Sequence, residues 1–338
     1  MAALIELADV ARTESYRLVM RVAPLRALLL HRQHRLTLLA AGSFVVSTAL
    51  ALREPIFSLF FGAAVLGVPH LIAGVRHQAV KRRLSRVTRA CAIGSLAVAL
   101  LLVSGNGGTW CWPVLMALLG AGLISESRAL TALPVSAATI AMAAFPGMAM
   151  LTITHLHAVS SLTYAAKAAR LRGLSLWPLL AWFTTLTLLA LAGVLDPLMA
   201  DTPWVPARAF QSILDEVQLT AAGAGPAWLK RAVFIYALGQ SLHYAVWLRL
   251  MPEVDRPTPN PKPFRAQLAA LRADLGGWLW PAVLLAAIVL PAMLLGQGAA
   301  RQLYFTLSFF HVGLEAAGLM ALGRTDGTRL VTPRLDER

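Results

Sequence analysis

PIFSLFFGAAVLGVPHLIAGV, residues 55–75, runs for 21 positions with no charged side chain and one histidine, His70. As a helix rising about 1.5 Å per residue, such a run crosses a hydrocarbon layer of roughly 30 Å. It gives way at once to RHQAVKRRLSR, a basic loop. This stretch reads as a membrane span, and nine further blocks of the same kind extend that reading to the whole chain.

The ten blocks are 36–52, 55–75, 90–105, 110–125, 129–145, 148–167, 175–195, 229–250, 278–296 and 302–323. Of the 338 residues, 58% are hydrophobic and 14% charged, and the mean hydropathy is +0.66. Soluble domains carry about 25% charged residues, so the composition excludes an ordinary soluble globular chain. The sequence predicts an all-α, polytopic integral membrane bundle of about ten transmembrane helices.

The formal net charge is +14. Arginine and lysine sit in short loops between apolar blocks, which is the pattern of membrane insertion and not of nucleic-acid binding. The loops RTESYRLVMR, RHQAVKRRLSRVTR, ESR, KAARLR, residues 251–276 and the tail GRTDGTRLVTPRLDER fall on one side of an alternating ten-span layout. The other side holds RE, SGNGG, FPG, residues 196–228 and GQGAAR, with Lys230 and Arg231 as exceptions to the charge bias. Both termini are therefore expected in the cytoplasm, in a multi-pass protein of a bacterial-type inner (plasma) membrane. Trp110, Trp112, Trp177, Trp228, Trp278 and Trp280 fall near block ends, as interfacial aromatics do.

The expected organisation is a basic amphipathic segment over 1–35 lying on the inner membrane surface, a transmembrane domain over 36–323, and a cytoplasmic tail over 324–338. Within the domain, 196–228 forms an outer loop whose ARAFQSILDEVQL reads as an amphipathic helix, and 251–276 forms an inner linker opening with the proline-rich MPEVDRPTPNPKP. No signal peptide and no internal repeat is visible. Cys91 and Cys111 stand near opposite ends of one hairpin, a placement that argues against a disulfide between them, and they form no metal spacing.

The eight histidines divide by position. His31, His34 and His77 read as solvated or headgroup residues. His70, His155, His157, His243 and His311 are embedded. Along their spans, four different helices bring an imidazole to one slab roughly 10 Å deep, between the midplane and the inner third. Ionisable groups at that depth are costly and mark function. His157 shares a helical stripe with Thr154, Ser161 and Tyr164, whereas His155 points about 200° away from it, so His157 is the inward one. His311 and Glu315 are four residues apart and share a face. Gln240 stands on the face of His243 as a neighbour that could orient it, with Tyr236 a turn further out. Neutral imidazoles suit iron, copper or zinc. The expected ligands are His70, His157, His243 and His311, with His155 as the alternate. Glu315 is read as ligand, catalytic group or ligand-orienting group, and equally as a helix–helix hydrogen-bonding acid. Tyr164, Tyr236 and Tyr244 could line a substrate tunnel, though each alone reads as a packing aromatic. Glu126 and Asp196 stand at span ends, without an assigned role.

At GVPH, ending in His70, the sequence resembles the Brp/Blh family of bacterial integral-membrane β-carotene 15,15′-dioxygenases, whose early motif looks like G-[IV]-P-H-G-x-x-D. HLHAVSS, with His155 and His157, is similar to that family's H-F-G-like element. YALGQSLHYAVWL, with Tyr236 and His243, resembles its Tyr…W-H-S-x-x-H element, with Trp247 where the family has the second histidine. SFFHVGLEA, with His311, looks like its late Pro-His helix. Gly74 stands where the early motif has an acidic residue. The likeness covers four short stretches. It implies an all-helical enzyme that cleaves a carotenoid with dioxygen at histidine-held Fe(II), with a lipophilic small molecule and membrane lipids as partners.

An alternative from the same residues is a proton- or metal-ion-coupled transporter in which the histidines form a relay. Ser308, His311 and Glu315, with Thr152, Thr154, Ser160, Ser161 and Thr163, offer part of a polar path. A b-type cytochrome needs paired histidines spaced along single helices, which are not present. A retinal Schiff base needs a mid-membrane lysine, and Lys167 and Lys230 lie at span ends. HxxxH and HxxHH boxes of membrane desaturases are absent.

Overall fold

The computed structural model describes residues 2–81, 84–104, 110–127, 129–144, 146–199, 225–256, 263–294 and 298–324. Every regular element among them is helical. The chain runs α1 (Ala2–Arg21), α2 (Ala23–Leu30), α3 (Arg32–Arg53), α4 (Pro55–Phe61), α5 (Gly67–Val75), α6 (Arg86–Val103), α7 (Cys111–Glu126), α8 (Ala129–Ala144), α9 (Pro146–Arg170) and α10 (Trp177–Leu191). It continues through α11 (Pro226–Ala245), α12 (Met251–Asp255), α13 (Phe264–Leu275), α14 (Leu279–Leu294) and α15 (Gly298–Arg324).

Among the described residues, each of the ten apolar blocks is a helix or an interrupted helix. By length and composition α3 is apolar and long enough to cross a membrane, while Cys111–Glu126, Thr131–Ala144, Trp177–Leu191 and Phe310–Leu322 are apolar but shorter. Large apolar side chains stand on the outside of several helices, among them Val45, Ile93, Leu133, Ile140, Leu188 and Ile288. The expected outer helix lies within 200–224, outside the described residues, as does the tail beyond 324. Cys91 and Cys111 are free thiols.

Two of the interruptions have a visible cause. A π-helical turn, Gly62–Leu66, joins α4 to α5, and Pro69 follows it. A proline ring clashes with the carbonyl four residues earlier and leaves it without an N–H partner, and a widened turn relieves both problems. The same device recurs where the π-helical turn Val246–Leu250 joins α11 to α12, just ahead of Pro252. A third π-helical turn, Arg76–Lys81, extends α5, and no proline accounts for it.

The largest core packs α3, α4, α9, α10, α11 and α12 around Leu162, Tyr164, Phe234, Leu238 and Trp247. α15 lies against α5, α6, α7 and α9, which closes the bundle around the embedded histidines. One end of this bundle is tied by buried charge. Arg35 and Glu253 pair at 2.8 Å with both side chains almost fully buried, and Arg172 pairs with Asp255 at 2.7 Å. Arg32 and Arg172 both donate to the Val254 carbonyl, the C-terminal end of α12, where cations complement the helix dipole.

Two expectations change here. His77 is buried rather than solvated, 2.9 Å from the Asp255 carboxylate, because the π-helical turn carries it inward. Glu126 is not idle either. It accepts from the Ser85 N–H and the Thr88 hydroxyl, both at 2.7 Å, and so holds the capped N-terminus of α6.

Candidate metal centre

Four helices deliver the site. α5 carries His70, α9 carries His157 and Ser160, α11 carries His243, and α15 carries His311 and Glu315. His157 and His243 lie with ring centroids 4.0 Å apart, and His311 stands 5.5 Å from each. His70 meets His243 at 5.0 Å and His311 at 4.9 Å, both edge-on. All four imidazoles and the Glu315 carboxyl are buried.

Glu315 is the hub. Its Oε2 lies 3.3 Å from His311 Nε2, 3.6 Å from His157 Nδ1 and 3.8 Å from His243 Nδ1. Ligand atoms bound to one ion at roughly 2.0–2.2 Å stand about 2.8–3.6 Å apart at angles near 90–110°. These separations are close to that range. Across His157, His243, His311 and Glu315 the ligand atoms all lie within 4.8 Å. A trans pair spans at most about 4.4 Å, so binding an ion requires a contraction of several tenths of an ångström.

The nitrogens are free to bind. Neither ring nitrogen of His243 or of His311, nor Nδ1 of His157, makes a hydrogen bond. Buried polar groups are almost always paired, so such orphans gathered at one point need an explanation, and an ion supplies one. His70 stands on the rim of this quartet. Its Nδ1–H donates to the Leu66 carbonyl at 3.2 Å, which leaves Nε2 with a lone pair. Leu66 closes the π-helical turn, so the distortion ahead of Pro69 also sets this tautomer.

No protein-family model, curated protein or solved structure matches the chain.

Around the quartet stand residues that the sequence did not single out for this role. Ser160 donates to Glu315 Oε1 at 2.9 Å, and the Trp247 indole N–H donates to Oε2 at 3.3 Å. Gln240, expected to orient His243, does not bond it, because neither His243 nitrogen has a partner. Ser161, on the expected stripe, bonds its own helix at the Ala158 carbonyl, and its neighbour Ser160 faces the site instead. Ser160 follows His157 by three positions, a signal of shared helical face that the sequence did hold.

The tyrosines separate. Tyr244 packs edge-on against His70 at 4.7 Å. Tyr164 is fully buried and lies 5.3 Å from the Trp247 ring. Tyr236 packs, partly buried, against the main core. The His155 side chain lies outside the described ones, as does that of Thr154. His31 and His34 are exposed and meet edge-on, ring centroids 5.1 Å apart. The arrangement is a buried three-histidine, one-carboxylate set that could hold a metal ion, with a fourth imidazole beside it.

Proposed function

We propose that the chain is a polytopic membrane metalloenzyme. In this reading the buried histidine–glutamate cluster holds one non-haem iron and serves to cleave or oxidise a lipophilic, carotenoid-like substrate. The observation that carries the reading is the convergence of His157, His243 and His311 from three helices on the Glu315 carboxylate, with five of their ring nitrogens unbonded and a fourth imidazole, His70, beside them. Packing alone gives no reason to bury three imidazoles together with these nitrogens unbonded, since each orphan costs about 1–3 kcal/mol.

Three nitrogens and a carboxylate oxygen suit ferrous iron, and the same donors accept copper or zinc. Bound there, iron would supply the redox chemistry that joins dioxygen to an alkene. The chain's own residues hold the site in shape. His157, His243, His311 and Glu315 would bind the ion, and His70 is the fifth candidate. Ser160 and Trp247 fix the carboxylate, and the Leu66 carbonyl fixes the His70 ring. Tyr244 sets an aromatic wall beside His70, suited to a flat polyene.

The membrane part of the proposal rests on the ten apolar blocks, all of them helical, and on apolar side chains facing outward from α3, α6, α8, α10 and α14. A substrate dissolved in the bilayer could enter such a bundle between helices. The Brp/Blh likeness supports the reading at each motif, because its four stretches bring His70, His157, His243 and His311 to one place. Its two departures also find local roles. Trp247, in place of histidine, donates to Glu315, and Gly74, in place of an acid, leaves room for the His311 ring.

The test is elemental mass spectrometry of detergent-purified protein beside a His243→Ala, His311→Ala variant. Near-stoichiometric iron that is lost in the variant supports the proposal, and carotenoid turnover then tests the substrate. Absence of any metal after anaerobic ferrous reconstitution would sink it. Ion uptake into proteoliposomes without substrate oxidation would move the same residues to transport.

A further inference from the structure

Gln78 lies on the π-helical turn Arg76–Lys81 and is completely buried, yet neither its Nε2 nor its Oε1 has a hydrogen-bond partner. A primary amide offers two donors and an acceptor, so this is the least satisfied neutral side chain beside the centre. Its position is informative. The amide is pressed against Gly318, where an added Cβ would meet Gln78 Cδ at 2.9 Å and a Tyr164 ring carbon at 3.4 Å. Gly318 is three residues beyond Glu315 on α15, hence on the same face and about one turn further along. Trp247, which donates to Glu315, lies 5.3 Å from the Tyr164 ring and 6.1 Å from the His77 ring. His77 in turn pairs with Asp255, which Arg172 ties to the charged end of the bundle.

We propose that Gln78, with Tyr164 and Trp247, forms an internal water-binding site that joins the Glu315 side of the metal centre to the His77–Asp255 pair at the charged end of the bundle. The occupant is water for three reasons. A buried unpaired amide calls for a small ligand that can both donate and accept, which water does. An apolar ligand would leave all three amide valences unmet. A metal cation is disfavoured near this end of the bundle, where Arg32, Arg35 and Arg172 outnumber Glu253 and Asp255. As proposed, the site would bring water to the Glu315 side of the centre from the charged end, apart from the outward-facing apolar surfaces that suit an apolar substrate. The direction of access deepens the metalloenzyme reading and rests on it, while the water site stands without any metal.

Radiolytic hydroxyl labelling of the metal-free full chain in ¹⁸O water tests this, since a short X-ray pulse labels side chains next to bound water even when they are buried. Wild type is expected to carry ¹⁸O on Tyr164, Trp247 or His77. The label should be lost in Gln78→Leu, which removes the amide, and in Gly318→Ala, whose methyl group displaces it. Wild-type protein with no label at any of the three side chains overturns the proposal without needing a variant. So does label that persists in both variants. A dry, strained amide predicts the opposite pattern, with no label and a higher melting temperature for Gln78→Leu. Because the labelled sample carries no metal, failure here is separable from failure of the metal-content test.

Discussion

Replacing Gly74 with alanine puts a methyl group where the His311 imidazole lies, with Nδ1 only 2.6 Å from the new carbon and Cε1 in closer contact still. Ordinary carbon contacts stand at about 3.5–4.0 Å, so the ring must retreat by about 1 Å. Metal–ligand distances tolerate about 0.2 Å, so His311 leaves the ligand set although no ligand has been mutated. The expected loss of metal affinity is about 10–100-fold, or about 1.4–2.7 kcal/mol. Stability of the metal-free protein changes less. Overpacking costs about 1–3 kcal/mol, and the helix gains about 0.8–1.0 kcal/mol from losing a glycine. Gly42→Ala is the control, since a Cβ there meets nothing within 4 Å. It should leave affinity unchanged and stability unchanged or raised by up to about 1 kcal/mol. The assay is competitive titration of ferrous or cobaltous ion against a fluorescent chelator, with thermal unfolding in excess chelator alongside. Equal affinity in Gly74→Ala and wild type would refute the reasoning that His311 binds metal from its place against Gly74.

Trp247→Phe keeps an aromatic ring but removes the indole N–H from Glu315 and part of a fully buried side chain, so metal affinity should fall about 10–100-fold and the metal-free melting temperature should fall as well; an unchanged affinity would mean that Trp247 only packs. Arg35→Ala leaves the buried Glu253 with Arg256 alone, at 3.4 Å, and should cost up to about 3–5 kcal/mol by denaturant unfolding, whereas Arg17→Ala, at an exposed pair, should change stability by less than about 0.5 kcal/mol. Saturating the centre with metal at 100 times its Kd should stabilise the fold by about 2.7 kcal/mol, a gain that chelation reverses and that His243→Ala abolishes. Hydrogen bonds from Arg231 hold the Asp196 carboxyl below its ordinary value of 3.8. A depressed acid stabilises the fold above its unfolded value and loses that contribution as pH falls through the folded one. The melting-temperature gap between wild type and Asp196→Asn should therefore be full near neutral pH and close below about pH 3.8. A gap that persists undiminished at about pH 2.5 contradicts the assignment.

That these histidines would meet is legible in the sequence because position along a helix is a local quantity. Counting from the apolar boundary at about 1.5 Å per residue placed His70, His157, His243 and His311 in one slab, and the structure brings those four rings together. The i, i+4 spacing of His311 and Glu315 likewise put the carboxylate on the correct face. Rotation of one helix against another was not readable. Gln240 looked like the partner of His243 on its own helix, but the group that faces this cluster is Trp247, reached through a π-helical turn that shifts the face by part of a residue. Ser161 was placed on the inward stripe and Ser160 is the one that bonds, an error of one helical position. His77 reads as solvated because it stands beside Arg76 at the end of an apolar block, and the π-helical turn that buries it has no proline to announce it.

The sequence alone determined that the chain is helical, where the apolar blocks start and stop, and which helices carry an imidazole at a similar place along their length. These follow from hydrophobic periodicity and rise per residue, which act within one segment. The tertiary structure alone decided that Glu315 is the hub, that Ser160 and Trp247 hold it from 155 and 68 residues away, and that Gly74 makes room for His311. It also decided that Gln78 is buried without a partner. Those features depend on how one helix is turned toward its neighbours, and that is set by close packing of the whole bundle, which no single segment encodes.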